Sequence, residues 1–135
     1  MKNKIFFPGR FGFTLIEVMV VVVIIGILAG VSAVSYRNTR EKALDREAVA
    51  ALRLIRAGER QYYARMERFW PAGSNITNIA HINGNLSIDL RTGVWNYSVQ
   101  SNSGGSTFSS NARRLSRTWT ITSANSNPAC TGSCV

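Results

Sequence analysis

Three patterns of apolar and polar residues follow one another along the chain. From Val18 to Tyr36 no residue carries a formal charge, and most are Val, Ile, Ala or Gly. As a helix this run would reach roughly 28 Å, close to the ~30 Å hydrocarbon core of a bilayer. It predicts one membrane-spanning segment. Beyond it, Leu44, Ala48, Leu52, Ile55, Tyr62 and Met66 recur at spacings of three, four or seven, while Arg46, Arg53, Arg56, Arg60 and Glu67 fall largely elsewhere around a helical axis. No Pro stands between Pro8 and Pro71, so both patterns fit a single helix from about Phe13 to Phe69. Gly58 is a weak point in it, costing up to ~1 kcal/mol, and Trp70-Pro71-Ala72-Gly73 ends it.

The remainder is rich in Asn, Ser, Thr and Gly and reads as loop to about Asn85. Alternation then appears in Leu86, Ile88, Leu90, in Trp95, Tyr97, Val99, and in Trp119, Ile121, the pattern of half-buried antiparallel strands. Asn102-Ser103-Gly104-Gly105 is a turn signal, and Thr107-Phe108 falls to a further strand. A small meander must cover its apolar face, and the one long apolar stripe available is the second half of the helix. The fold class is therefore α+β. Residues 1–12 form a short basic segment, 13–36 the spanning helix, 37–70 its amphipathic continuation and 71–135 the loop and sheet.

Charge refines this picture. The formal net charge is +9, which raises nucleic acid as a partner. Lys2, Lys4 and Arg10, however, precede the apolar run, where the positive-inside rule expects a cytoplasmic flank. The cations between Arg37 and Arg68 are interspersed with five acids, as on a solvated helix face. After Glu67 the only acidic side chain is Asp89, which leaves paired-carboxylate catalysis, an acidic calcium cage or a two-metal centre little to be built from. The single histidine, His81, reads as a loop residue with no triad to serve. No enzyme, cofactor or metal site is expected.

Residues 1–36 carry the most specific signal. Ala29-Gly30-Val31-Ser32-Ala33 could mimic a secretory cleavage site, but Glu17 sits just before the apolar run, and a carboxylate near the bilayer needs a partner. A short basic leader ends in Gly12, followed by Phe13-Thr14-Leu15-Ile16-Glu17 and an apolar helix with Gly26 and then Tyr36. This resembles the type IV pilin and type II secretion pseudopilin family, closely over residues 1–40 and in architecture thereafter.

The resemblance implies a structural subunit. A prepilin peptidase would cut between Gly12 and Phe13 on the cytoplasmic side and methylate the new Phe13 amine. Phe13 and Glu17 would then be the assembly residues, because the ammonium of one subunit can neutralise the carboxylate of its neighbour in an apolar helix bundle. Implied partners are the peptidase, membrane lipid, an inner-membrane assembly platform and further copies in a homo-oligomeric helical filament. The precursor would be a single-pass inner-membrane protein with its head outside the cytoplasm, and the product a pilus or periplasmic pseudopilus. Many pilins have Pro where this chain has Val34, which leaves open whether the helix loosens on assembly. Acid-free sequence from Leu90 onward disfavours a calcium-holding major pseudopilin, while an anchored binding module for surfaces or DNA remains the other class.

Cys130 and Cys134 lie near the C-terminus. A domain beyond the membrane is in a disulfide-permissive compartment, which favours a small closed loop; a metal site would need more ligands, and the spacing is one residue longer than a redox Cys-x-x-Cys. In the family such a disulfide often pins the last strand.

Overall fold

The computed structural model of the protein describes residues 12–91 and 93–134, with the backbone alone for residues 32–34. Residues 1–11 of the expected leader and the side chain of Val34 lie outside the described residues. One continuous helix, α1, runs from Leu15 to Met66. It stops short of the expected Phe69 because Glu67 turns into the left-handed region at φ 56, and its N–H closes on Tyr63 O at 2.8 Å. The chain divides into two compact units between Thr39 and Arg40.

The first unit contains an apolar helix with its side chains outward. Large apolar residues from Phe13 to Val31 are 47–84% exposed. This is the one helix among the described residues that is long and apolar enough to cross a membrane, with a mean hydropathy of 2.8 over its most apolar window. Each such side chain would gain about 1.5–3 kcal/mol on leaving water.

The second unit is the head. After the remainder of α1 come β1 (Asn75–Ile76), α2 (Ile79–Leu86), β2 (Asn96–Ser101), β3 (Phe108–Arg114), β4 (Arg117–Thr122) and β5 (Ala129–Gly132). The strands form one antiparallel sheet in sequential order. The register sets Tyr97 opposite Ala112 and Val99 opposite Ser110, and on the next strand Ser110 opposite Ile121. These residues share the buried face with Phe108 and Trp95, and Ala48, Leu52 and Ile55 of α1 belong to the same core. The expected pairing of amphipathic helix with sheet is thus present. Gly58 has a packing reason: a Cβ there would come within 2.9 Å of Ile88 Cγ2 and 3.0 Å of Leu86 Cβ. Its missing side chain lets the segment after α2 lie against α1.

Two expectations fail between Asn78 and Leu90. The supposed loop contains α2, capped by Asn78 Oδ1 accepting the His81 N–H at 3.2 Å, so His81 is a first-turn helical residue. Leu86, Ile88 and Leu90 do not form a strand. Leu86 ends α2, and Ser87 at φ 53 breaks the extended path. The Asn83 side chain then takes both backbone groups of Leu90, donating to its O at 2.9 Å and accepting from its N at 2.8 Å. A side-chain amide thereby occupies the place of a neighbouring strand. The short strands β1 and β5 carry no alternation and escaped the sequence pattern. The other expected strands lie in β2, β3 and β4, and Asn102 organises the β2–β3 turn by accepting from Ser106 N at 2.8 Å.

Polar contacts fix the β3–β4 hairpin along α1. At its tip Arg114 and Arg117 each reach Glu41 Oε2 at 2.8 Å, and Arg117 reaches Asp45 Oδ1 at 3.2 Å. The Arg114 hydrogen bond comes first among the influences that hold the Glu41 carboxyl below its ordinary pKa. The open end of the hairpin lies by the far part of α1, where Arg56 donates to Ser123 O at 3.3 Å. The two-residue turn carries an anomaly: Leu115 is 84% exposed at φ 51, a conformation that costs an L-residue about 1–2 kcal/mol and that Gly or Asn takes more readily.

One carboxylate is out of place in this core. Glu59 is fully buried. Its Oε2 accepts the Trp70 N–H at 3.0 Å, and its Oε1 has no partner. Burial pushes its pKa from 4.5 to about 7, against the opposing pull of the Trp70 N–H. The folded head therefore holds a proton more tightly than the unfolded chain. That contribution is complete below about pH 4.5 and is lost as pH rises through about 7, up to roughly 3 kcal/mol. Denaturant midpoints of the detergent-solubilised chain should fall between pH 5 and pH 8, and Glu59→Gln should flatten the slope and stabilise the head at pH 8. Parallel pH profiles for the two proteins would contradict this assignment.

Candidate functional site

The N-terminus of α1 is built by its own sequence. Thr14 precedes the first helical residue, and its Oγ1 accepts the Glu17 N–H at 3.3 Å. Glu17 Oε2 in return accepts from Thr14 N and from Thr14 Oγ1, each at 3.3 Å. This reciprocal exchange is a capping box, in which a hydroxyl and a carboxylate three residues apart satisfy otherwise orphaned helix-start donors. The carboxylate also lies where the helix macrodipole favours negative charge. The Thr-x-x-Glu spacing of Thr14 and Glu17 is the sequence signature of this cap.

Glu17 therefore has a local partner within its own chain. The capping contacts use one carboxylate oxygen, and the side chain remains exposed. Phe13, immediately before the cap, is 79% exposed. Gly12 is open as well, since a Cβ there would meet nothing within 4 Å. Nothing among the described residues thus demands glycine at position 12. The same holds for Gly26 and Gly30, four residues apart on α1, where missing side chains permit another helix to come close.

At the other end of the sequence, Cys130 and Cys134 are joined by a disulfide. It closes the loop at the end of β5, whose Gly132 pairs with Arg117. Gly132 has φ 99 and packs so closely on Ser116 O that a side chain would collide with it. Among the described residues no group of three His, Cys, Asp or Glu side chains is placed to hold a metal ion. His81, on α2, donates its N–H to Asn78.

Residues 8–33 match the family model described as the prokaryotic N-terminal methylation motif. The chain is 32% identical over 69 residues to the type IV major pilin protein PilA of Myxococcus xanthus, 51% of this chain and 31% of that one. It is also 32% identical over 88 residues to fimbrial proteins of Neisseria meningitidis serogroups B and A, 62% of this chain and 51% of each of those. The chain spans about a third to a half of the length of these curated relatives. No solved structure matches it. The chain is thus similar to the methylation motif near its N-terminus and to type IV pilin and fimbrial proteins over part of its length. These relatives are by name a type IV pilin and fimbrial proteins.

The disulfide generates a simple stability test. In the chain-entropy account, a loop this short contributes about 2 kcal/mol by restricting the unfolded chain. Cys130→Ser should lower unfolding free energy by about that amount, and the wild-type protein should show no reactive thiol before reduction. Two titratable thiols in the folded, unreduced protein would be the contrary result.

Proposed function

We propose that the chain is the precursor of a pilus subunit. A prepilin peptidase cuts between Gly12 and Phe13 and methylates the Phe13 amine, removing residues 1–12 as a leader. Residues 13–36 hold the subunit in the inner membrane, with the N-terminus cytoplasmic and the head outside. An assembly platform then transfers the subunit into a homo-oligomeric helical filament, where the same apolar helix lies among its neighbours. The observation that carries this reading is the outward-facing apolar unit, with residues from Phe13 to Val31 47–84% exposed. Lipid and then neighbouring helices are the two surroundings that remove such a surface from water.

Gly12 and Glu17 supply the finer support. Since the chain's own packing leaves open space at Gly12, the requirement for a bare backbone is assigned to the peptidase cleft. Glu17 uses one oxygen for its capping box, which leaves the other to meet the Phe13 ammonium of the next subunit. A type II secretion pseudopilus ranks behind a pilus because the relatives bear pilin and fimbrial names and the segment from Arg91 onward has no acid for a calcium site.

Glu17→Gln separates the two roles of that residue. A glutamine at this position can still serve the capping box, so the helix start is kept while the charge is removed. Loss of one member of a buried ion pair can cost about 3–5 kcal/mol. Cells making only this variant should contain protein cut at Phe13 and inserted in the membrane, with few or no filaments. Wild-type filament number and length, counted by electron microscopy, would contradict the pairing.

A further inference from the structure

Between α1 and β4 the head carries a groove of about 340 Å³, a size that receives a small ligand or a short stretch of a polymer. All its lining residues belong to the second unit. Apolar side chains of Val49, Ala50 and the partly buried Trp119 line it together with the exposed cations Lys42, Arg46 and Arg53. The five on α1 are spaced so that they share one face of the helix. The remaining lining residue, Asp45, is buried and paired with Arg117 at 3.2 Å. Among the described residues no carboxylate pairs with Lys42, Arg46 or Arg53, and Arg53 donates instead to the neutral Asn127 Oδ1 at 3.3 Å. The groove is therefore positive and uncompensated. Trp119 supplies the fold with no hydrogen bond, since its Nε1 is buried without a partner; what it offers the groove is the ring. Along α1 the arginines continue at a fixed interval, Arg46, Arg53 and Arg60 recurring every seven residues, about 10.5 Å along the axis.

We propose that this groove binds an acidic polysaccharide, a chain of sugar rings in which a uronic carboxylate recurs at intervals. Lys42, Arg46 and Arg53 pair with successive carboxylates, and the C–H face of one ring rests on the Trp119 indole, whose negative π face attracts it. The sign of the charge calls for an anion, and its spacing selects among anions. A nucleic-acid strand carries a charge about every 3.4 Å, so arginines about 10.5 Å apart would leave most of its phosphates unmatched. A polymer with carboxylates on only some of its rings is matched at that lower density. The head's own exposed carboxylates among the described residues are only Glu47, Glu67 and Asp89, which argues against a second copy as the occupant. The proposal adds a ligand to the head and holds whether or not subunits polymerise.

The test uses the full chain, with its disulfide intact, in a non-ionic detergent, titrated with a short oligogalacturonate and followed by calorimetry and tryptophan emission. Binding should saturate and weaken as salt rises. It should be lost with the methyl-esterified oligomer, which keeps the rings and removes the charge. Arg46→Gln combined with Arg53→Gln should weaken binding by about tenfold or more through loss of two charge-assisted contacts. Arg65→Gln combined with Arg91→Gln removes the same charge from exposed positions outside the groove and should leave binding unchanged. The emission change should disappear in Trp119→Phe, with Trp70 and Trp95 still reporting a folded head. Equal weakening by the two double variants would overturn the groove as the site, and equally tight binding of the methyl ester would overturn the part played by the carboxylates. A single-stranded oligonucleotide or a polyglutamate peptide that binds more tightly than the oligogalacturonate would overturn the polysaccharide in favour of that polymer. Failure of all these probes to bind would overturn the groove as a binding site, and filament formation would be untouched by any of these results.

Discussion

An apolar helix with its side chains turned outward cannot remain in water, and this constraint governs the rest of the protein. In the first unit large apolar residues cover α1 from Leu15 to Val31, with exposures that never fall below 47%. Among the described residues of that unit no second element is present to cover them. The surface must be taken up by lipid or by other helices. A carboxylate at the start of such a surface is tolerable when its hydrogen bonds are made, and the capping box with Thr14 supplies those of one oxygen within one chain.

The head meets the opposite requirement with the same helix. There α1 turns Ala48, Leu52 and Ile55 onto the sheet and faces solvent with arginines. Its polar fixtures are few and specific. Glu41 and Asp45 clamp the hairpin tip, Gly58 admits the segment after α2, and Glu59 ties the end of the helix to Trp70 at the cost of a buried, half-satisfied carboxyl. The raised pKa of Glu59 ties the stability of the head to pH.

How much of this was legible depended on the range of the interaction. The two helical patterns and the strands centred on Tyr97 and Ile121 are periodic and local, and they appear in the sequence before any coordinates. The segment from Leu86 to Leu90 misled because its period of two arose across a helix end, a left-handed Ser87 and a side-chain amide from Asn83. None of these leaves a periodic trace. Strands β1 and β5 are set by their partners, Asn75 opposite Gln100 and Cys130 opposite Trp119, and the ion pair of Glu41 with Arg114 joins residues 73 apart. At the N-terminus Gly12, Phe13 and Glu17 could be picked out from their order alone. The roles proposed for them lie between molecules, and a single chain contributes only the local cap and the open space around them among the described residues.

The most direct test of the account is a distance across the subunit boundary. Filaments assembled from a mixture of subunits, some labelled with 15N at the Phe13 amine and others with 13C at the Glu17 carboxyl, would be measured by solid-state NMR dipolar recoupling. The account predicts dephasing that corresponds to an ion pair, with nitrogen and oxygen within about 4 Å of each other. Filaments that form normally yet show no coupling between differently labelled subunits would contradict it.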